Sequence, residues 1–407
     1  MQRSKIVGII LLFTLIYSCN NHDKKVDTGA NHLFALDDKP GTCPYLTKNV
    51  NGELVVGWAR MNVDSSYVFC YATSTDAGGS FSHPVLIPGS SKVQPHGENL
   101  PKIVFKPSGE IIALWGVANA NPKNRYSGLV YYSQSFDKGA TWSAAKPLVN
   151  DTSSYDQRYF DVALLPNGEA AVIWLDNRKS TEKEGSSLYY ASTSGRNGFE
   201  NEKKITEGCC QCCRTDLFID SKAGIHVLYR GILKDSIRDM LHSVSADGGK
   251  NFSTPKLISN DNWVIRGCPH TGPAMIENKE GLNFAWFTGG PNKGCYFTKS
   301  TDNGNTFTGH DKINGAGSHP QVSVLPDQRL AIVWDEPVQV QDKYFRKIGL
   351  QMREANGKAQ SIQYVTPDTV QASYPVISSL TNHQAFVAFT VNREGKDQVM
   401  YETIDMK

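Results

Sequence analysis

The chain has 407 residues, a net charge of +2, and 20% charged against 40% hydrophobic residues. That is enough length and apolar content to bury a large core, which excludes a disordered chain. The near-zero charge excludes the strongly basic balance of a global nucleic-acid binder, and no nucleic-acid partner is expected.

In chain order, Arg3 and Lys5 precede an apolar run from Ile6 to Tyr17. The run has signal-peptide length and is too short to cross a membrane. Ile16-Tyr17-Ser18-Cys19 follows and resembles the bacterial lipobox. The resemblance implies that residues 1–18 are removed and that Cys19 carries a lipid. The mature protein would then be held at the cell envelope, periplasmic or surface-exposed. A plain secretory signal is the alternative, and either one exports the chain. Residues 19–30 are polar and read as a tether, which leaves 31–407 as one repeat domain.

Pro44, Gly52 and Trp58 stand at offsets of 0, 8 and 14. Pro101, Gly109 and Trp115 repeat the offsets, as do Phe160, Gly168 and Trp174. Thr215 and Tyr229 follow, then Pro273, Gly281 and Phe287, then Pro320 and Trp334, then Pro375 and Phe389. These are seven copies at intervals of 47 to 59 residues. Each is two short apolar runs around a tight turn, as in Ile103-Val104-Phe105, Pro107-Ser108-Gly109-Glu110 and Ile111 to Trp115. That is a hairpin pattern, not a helical one. A third strand follows each copy. The last copy stops there, and His32 to Leu36 can supply its missing fourth strand. A ring of four-stranded blades closed by both termini is an all-β propeller, with seven blades expected and six as the alternative.

The turn after the third strand carries a second motif. Ser300-Thr301-Asp302-Asn303-Gly304-Asn305-Thr306-Phe307 recurs from Ser74 to Phe81, Ser135 to Trp142 and Ser245 to Phe252. Asp and Ser side chains hydrogen-bond nearby backbone, Gly takes positive φ, and the aromatic packs inward. These octamers resemble the Asp-box, or BNR, repeat of sialidases and related propellers. The resemblance covers most of the mature chain and implies a sialidase-like fold.

Strand alternation puts the octamers on one face and the first-strand entrances and second-strand exits on the other. That second face collects the chemistry. Arg60, Arg178, Arg214, Arg230, Arg238 and Arg393 are candidates to hold an anionic ligand, because guanidinium forks pair with carboxylate, sulfate or phosphate. Asp176, Asp335 and Glu336 are candidates for acid–base work at a glycosidic bond. Sialidases use an arginine triad, a Tyr–Glu nucleophile pair and an acid–base Asp. Their Arg-Ile-Pro motif is absent here, where the chain reads Gly41-Thr42-Cys43-Pro44. Tyr374 with Glu336 is therefore paired by face and position alone.

Cys209-Cys210-Gln211-Cys212-Cys213-Arg214 enters the fourth repeat, and Cys268-Pro269-His270 enters the next. A structural disulfide from Cys268 to one of the four is the first expectation. The other is a soft-metal site for copper or zinc formed by Cys209, Cys210, Cys212, Cys213, Cys268 and His270. Cys212-Cys213-Arg214-Thr215, Ile237-Arg238-Asp239 and Asn262 to Pro269 also resemble a group of exported bacterial proteins labelled sialidase-like. This resemblance implies a shared site around the cysteines and Arg238-Asp239, without a substrate. The leading expectation is an exported propeller that binds or hydrolyses an anionic glycan and requires no cofactor. A metal-binding or redox propeller and a non-catalytic protein-binding scaffold are the alternatives.

Overall fold

The computed structural model describes residues 33–119, 124–150, 156–178 and 184–406. The signal segment, Cys19 and the tether lie outside them. The described residues form seven four-stranded antiparallel sheets and no helix. Six sheets follow chain order from the inner strand outward, beginning with Gly41–Lys48, Leu54–Met61, Tyr67–Ser74 and Val85–Leu86. The seventh contains Ala372–Thr381, Gln384–Arg393 and Lys396–Asp405 and is completed by Phe34–Ala35. Phe34 pairs with Tyr401 and Ala35 with Met400, so one blade joins both ends of the chain. The closing strand is shorter than the expected His32–Leu36, and His32 lies outside the described residues.

The core lies between blades. Trp58, Trp115, Trp174, Trp286 and Trp334 are among the largest fully buried side chains, each on a second strand. The fifth blade corrects the expected register by one residue. Trp286, not Phe287, is the buried indole and stacks on Tyr296 as Trp174 stacks on Tyr189. The cause is the hairpin turn. Asn278 pairs directly with Gly281 in the fifth blade, whereas Leu165 N–H reaches Glu169 O in the third, so the fifth turn is shorter.

The octamers fasten neighbouring blades. In all four, the Asp Oδ1 accepts the N–H four residues on at 2.8 Å, from Ser80, Thr141, Asn251 and Thr306. The Ser Oγ accepts the Gly N–H. Each of these glycines has positive φ and abuts the preceding blade: Gly78 on Phe386, Gly139 on Tyr71, Gly249 on Tyr190 and Gly304 on His242. A β-carbon would meet each of those side chains, which is why glycine is needed there.

On the opposite face, four inner strands are broken at the repeat's start. Register shifts fall at Thr42/Tyr45, Arg158/Asp161, Ser318/Gln321 and Ser373/Val376. Cys43, Tyr159, His319 and Tyr374 sit in these breaks with φ between 52° and 60°. Such left-handed backbone is unfavourable for residues with a β-carbon and is held only by surrounding contacts.

Candidate functional site

The strained residues gather with the loops of other blades around one end of the central axis. His319 lies tilted against Tyr374 at 4.2 Å between ring centres, and His96 lies 5.2 Å from His270 and 6.0 Å from Tyr159. His319 Nε2 donates to the His270 carbonyl at 3.0 Å. The Tyr374 ring covers Gly97, where a β-carbon would come within 2.5 Å of it. Burial, then the charges of His270, Arg158 and His319, bring His96 down to about 4, so its ring is neutral.

Beneath the rings lies a buried ion pair that sequence reasoning missed. Glu98 Oε1 accepts from Arg214 Nη1 at 2.9 Å, and Glu98 Oε2 accepts the Arg214 backbone N–H at 3.0 Å. Arg214 Nη2 donates to the carbonyls of Gly272, Pro273 and Pro320. One guanidinium thus ties the second blade to the fourth, fifth and sixth. The only sequence signal was the place of Glu98 beside His96 at the entrance to the second blade.

The other expected arginines are dispersed. Arg60 Nη2 donates to Asp37 at 3.1 Å. Arg178 pairs with Asp176 and Glu202 and lies over Tyr189. Arg230 is buried over Trp263 and donates to the carbonyls of Arg238, Thr271 and Phe287. Arg393 is exposed at the end of its strand. Arg238 lines a separate cleft with Cys268.

Asp335 is fully buried. It accepts from His319, Arg346, Ser318 Oγ and the Tyr374 N–H. Burial alone would raise its pKa, but the His319 charge and hydrogen bond and Arg346 hold it at about 2. Its neighbour His319 is raised, because the Asp335 charge overrides the opposing effect of burial. The carboxylate therefore anchors two of the strained turns. Glu336 and Asp176 play a different part. Glu336 Oε2 accepts the indole N–H of Trp334 at 2.7 Å, and Asp176 Oδ2 accepts that of Trp174 at 3.2 Å. Tyr374 and Glu336 are not brought together, since Glu336 also meets Asn314 and Tyr364. Burial, then the Glu98 and Asp335 charges, push the Tyr374 phenol upward.

The cysteine string makes a compact cluster. Cys210 Sγ lies 3.6 Å from Cys212 Sγ and 3.8 Å from Cys213 Sγ, and all three sulfurs fall within 4.8 Å of one another. All three residues are buried. Burial opposes a thiolate at Cys213, yet hydrogen bonds from Cys210 and Cys212, the Arg230 charge and the Thr271 N–H hold its pKa well below the ordinary thiol value. Cys210 is pushed up to about 12, with the Cys212 hydrogen bond opposing the Cys213 bond and burial that raise it. Cys212 is also raised, first by its hydrogen bond to Cys210. No disulfide joins the cysteines among the described residues. The expected Cys268 bridge is not formed, because Cys268 is exposed on its loop while the three sulfurs are buried. Cys209 ends the outer strand Phe199–Cys209 and packs in the hydrophobic core with Tyr229.

These features define a seven-bladed all-β propeller with a ring-lined mouth and a thiol cluster among its inner-strand entrances. No family profile and no curated protein sequence matches the chain. Solved structures do. The intramolecular trans-sialidase of Ruminococcus gnavus, bound to oseltamivir carboxylate, aligns with a TM-score of 0.54 and 10% identity, over 93% of this chain and 97% of that one. A Dyadobacter fermentans protein of unknown function aligns at 0.53 and 14%, over 79% and 100%. The NanB sialidase of Streptococcus pneumoniae aligns at 0.49 and 13%, over 90% and 68%. The fold is therefore sialidase-like, and at these identities the likeness speaks for fold alone.

Proposed function

We propose that this protein binds a soft metal ion through Cys210, Cys212 and Cys213, with copper(I) preferred to zinc. The observation that carries the proposal is the convergence of three buried sulfurs within 4.8 Å. Thiolates select copper(I) and zinc, and structural zinc takes four ligands. Three sulfurs suit a three-coordinate copper(I). Arg230 and the Thr271 N–H, both acting on Cys213, would offset the charge of a thiolate-bound ion. The proposal places the mature chain outside the cytoplasm, anchored through Cys19.

The test is metal loading of the full mature chain under reducing conditions, followed by elemental analysis and thiol counting. One copper(I) per chain is expected, with thiolate-to-metal absorption. Cys212→Ser should lose it and Cys268→Ser should keep it. Three reactive thiols that take up neither copper(I) nor zinc would overturn the proposal.

A second reading is recognition of an anionic glycan at the envelope, the ligand class suggested by the oseltamivir carboxylate complex of the Ruminococcus gnavus enzyme. It is favoured by Arg158 and Arg346, which are partly exposed beside the aromatic rings of the mouth. Sialylated and sulfated glycan arrays test it. Binding unchanged by Arg158→Gln and Arg346→Gln would count against the mouth as the glycan site.

A further inference from the structure

Beside the thiol loop lies a cleft of about 440 Å³ lined by Glu184, Gln211, Asp235, Arg238, Arg266 and Cys268. Its unusual member is Arg238. The residue is only 7% exposed, yet its Nε and Nη1 are buried without a hydrogen-bond partner. Among the described residues its side-chain polar contact is from Nη2 to Glu184 Oε1 at 3.4 Å, and the Glu184 side chain is 58% exposed. Arg230 and Arg353 each leave one buried guanidinium nitrogen unpartnered but make three side-chain hydrogen bonds, and Arg214 makes several, whereas Arg238 leaves two nitrogens unpartnered.

The backbone under Arg238 is clamped. Its N–H donates to the Trp263 carbonyl at 2.8 Å, and its carbonyl accepts from Arg230 Nη1 at 2.7 Å. The next residue, Asp239, accepts the N–H groups of Asn262 and Trp263. The guanidinium is therefore presented from a fixed platform, as a preorganised binding group requires. A buried cation without a full counter-charge is among the costliest arrangements a fold can hold, and an incoming anion relieves it.

We infer that this cleft is a binding site for a small oxyanion, such as a carboxylate, sulfate or phosphate group, held by Arg238. Nε and Nη1 are buried and unpartnered, so the charge of the group is left uncompensated, and the ligand meets it at Nη2, which carries only the long contact to Glu184. The exposed Glu184 carboxylate acts as a displaceable stand-in for the ligand, and Arg266 on the lining offsets the charge of Asp235 there. The site is independent of what the thiol cluster binds.

The experiment is calorimetric titration of the full mature chain, in low-chloride buffer, with sodium sulfate, sodium phosphate and sodium acetate in separate arms. Saturable binding of at least one anion at one site per chain is expected, and the three arms identify which chemistry fits best. Arg238→Gln should weaken binding by about tenfold or more. Glu184→Gln alters an exposed side chain without threatening the fold, and should strengthen binding severalfold by removing the competing carboxylate. Thermal unfolding of each variant checks folding. Saturable binding to neither the wild type nor Glu184→Gln would overturn the site, as would equal affinity in Glu184→Gln and wild type. If Arg238→Gln is folded and binds as wild type does, the assignment of Arg238 is overturned.

Discussion

Removing the charge of Glu98 should loosen the ring of blades more than any single surface change. Glu98 and Arg214 are almost wholly buried, and among the described residues the carboxylate is the one anion in contact with that guanidinium. In Glu98→Gln the amide oxygen can still accept one hydrogen bond. Its NH2 group must then face either the Arg214 guanidinium or the Arg214 backbone N–H, and both are donors. Breaking a buried pair on one side leaves an uncompensated charge and costs about 3–5 kcal/mol. Urea unfolding followed by tryptophan fluorescence reads this directly. With a slope of roughly 3 kcal/mol/M or more for a chain of this size, the midpoint should fall by about 1 M. The double variant Glu98→Leu with Arg214→Met removes both charges and should be more stable than Glu98→Leu alone. A midpoint shift below about 0.3 M for Glu98→Gln, or a double variant no better than the single, would refute the role of the pair as an axial tie.

Two further outcomes follow from the blade contacts. Gly304→Ala forces a β-carbon into the His242 ring at φ +81°, while Gly52→Ala meets only a positive φ of +77° with nothing within 4 Å; thermal or urea unfolding should show a loss of about 2–4 kcal/mol for the first and about 1–2 kcal/mol for the second. Acid should destabilise the interface between the fourth and fifth blades. There Asp220 Oδ2 accepts from His226 Nε2, which leaves His226 Nδ1 to accept from His242 Nε2, each at 2.9 Å. Burial, then the charges of His226 and Lys256, bring His242 down to about 3, whereas an unfolded histidine titrates near 6.5. The unfolded chain therefore holds a proton that the folded chain does not. Stability from this group is complete above about pH 6.5 and declines as pH falls toward 3, by about 2–3 kcal/mol at pH 4.5. A His242→Gln variant should lose about one proton's worth of that slope, and an unchanged acid slope would assign the loss elsewhere.

Much of the fold was legible because repetition turns local patterns into a ring. The offsets from Pro44 to Trp58 and the octamer from Ser300 to Phe307 place strands, turns and faces without any long-range information. The shared register failed where one blade departs from the repeat: Trp286 took the place given to Phe287 because the turn after Asn278 is shorter. The site was legible only in part. Cys210, Cys212 and Cys213 are neighbours in sequence, so their meeting needs only a tight loop. Glu98 and Arg214 are 116 residues apart and meet across the axis, a pairing for which one sequence offers no local pattern.

The acidic residues show why membership of a face does not fix a chemical role. A tryptophan at the buried position of a second strand brings an indole N–H into a region without water, and that donor needs an acceptor. At Trp174 and Trp334 the acceptor is the carboxylate two residues on, Asp176 and Glu336. At Trp286 the loop residue Asp261 supplies it at 2.7 Å. In the first blade the residue two after Trp58 is Arg60, which cannot accept, and the Trp58 indole nitrogen has no hydrogen-bond partner. An acid two residues beyond a buried tryptophan thus has a structural task before any catalytic one. The same indoles that mark the repeat create the demand that the carboxylates meet. Solvent-accessible charge on this face includes Arg158, Arg346 and the lining of the Arg238 cleft, and those are the places where anion recognition should be sought.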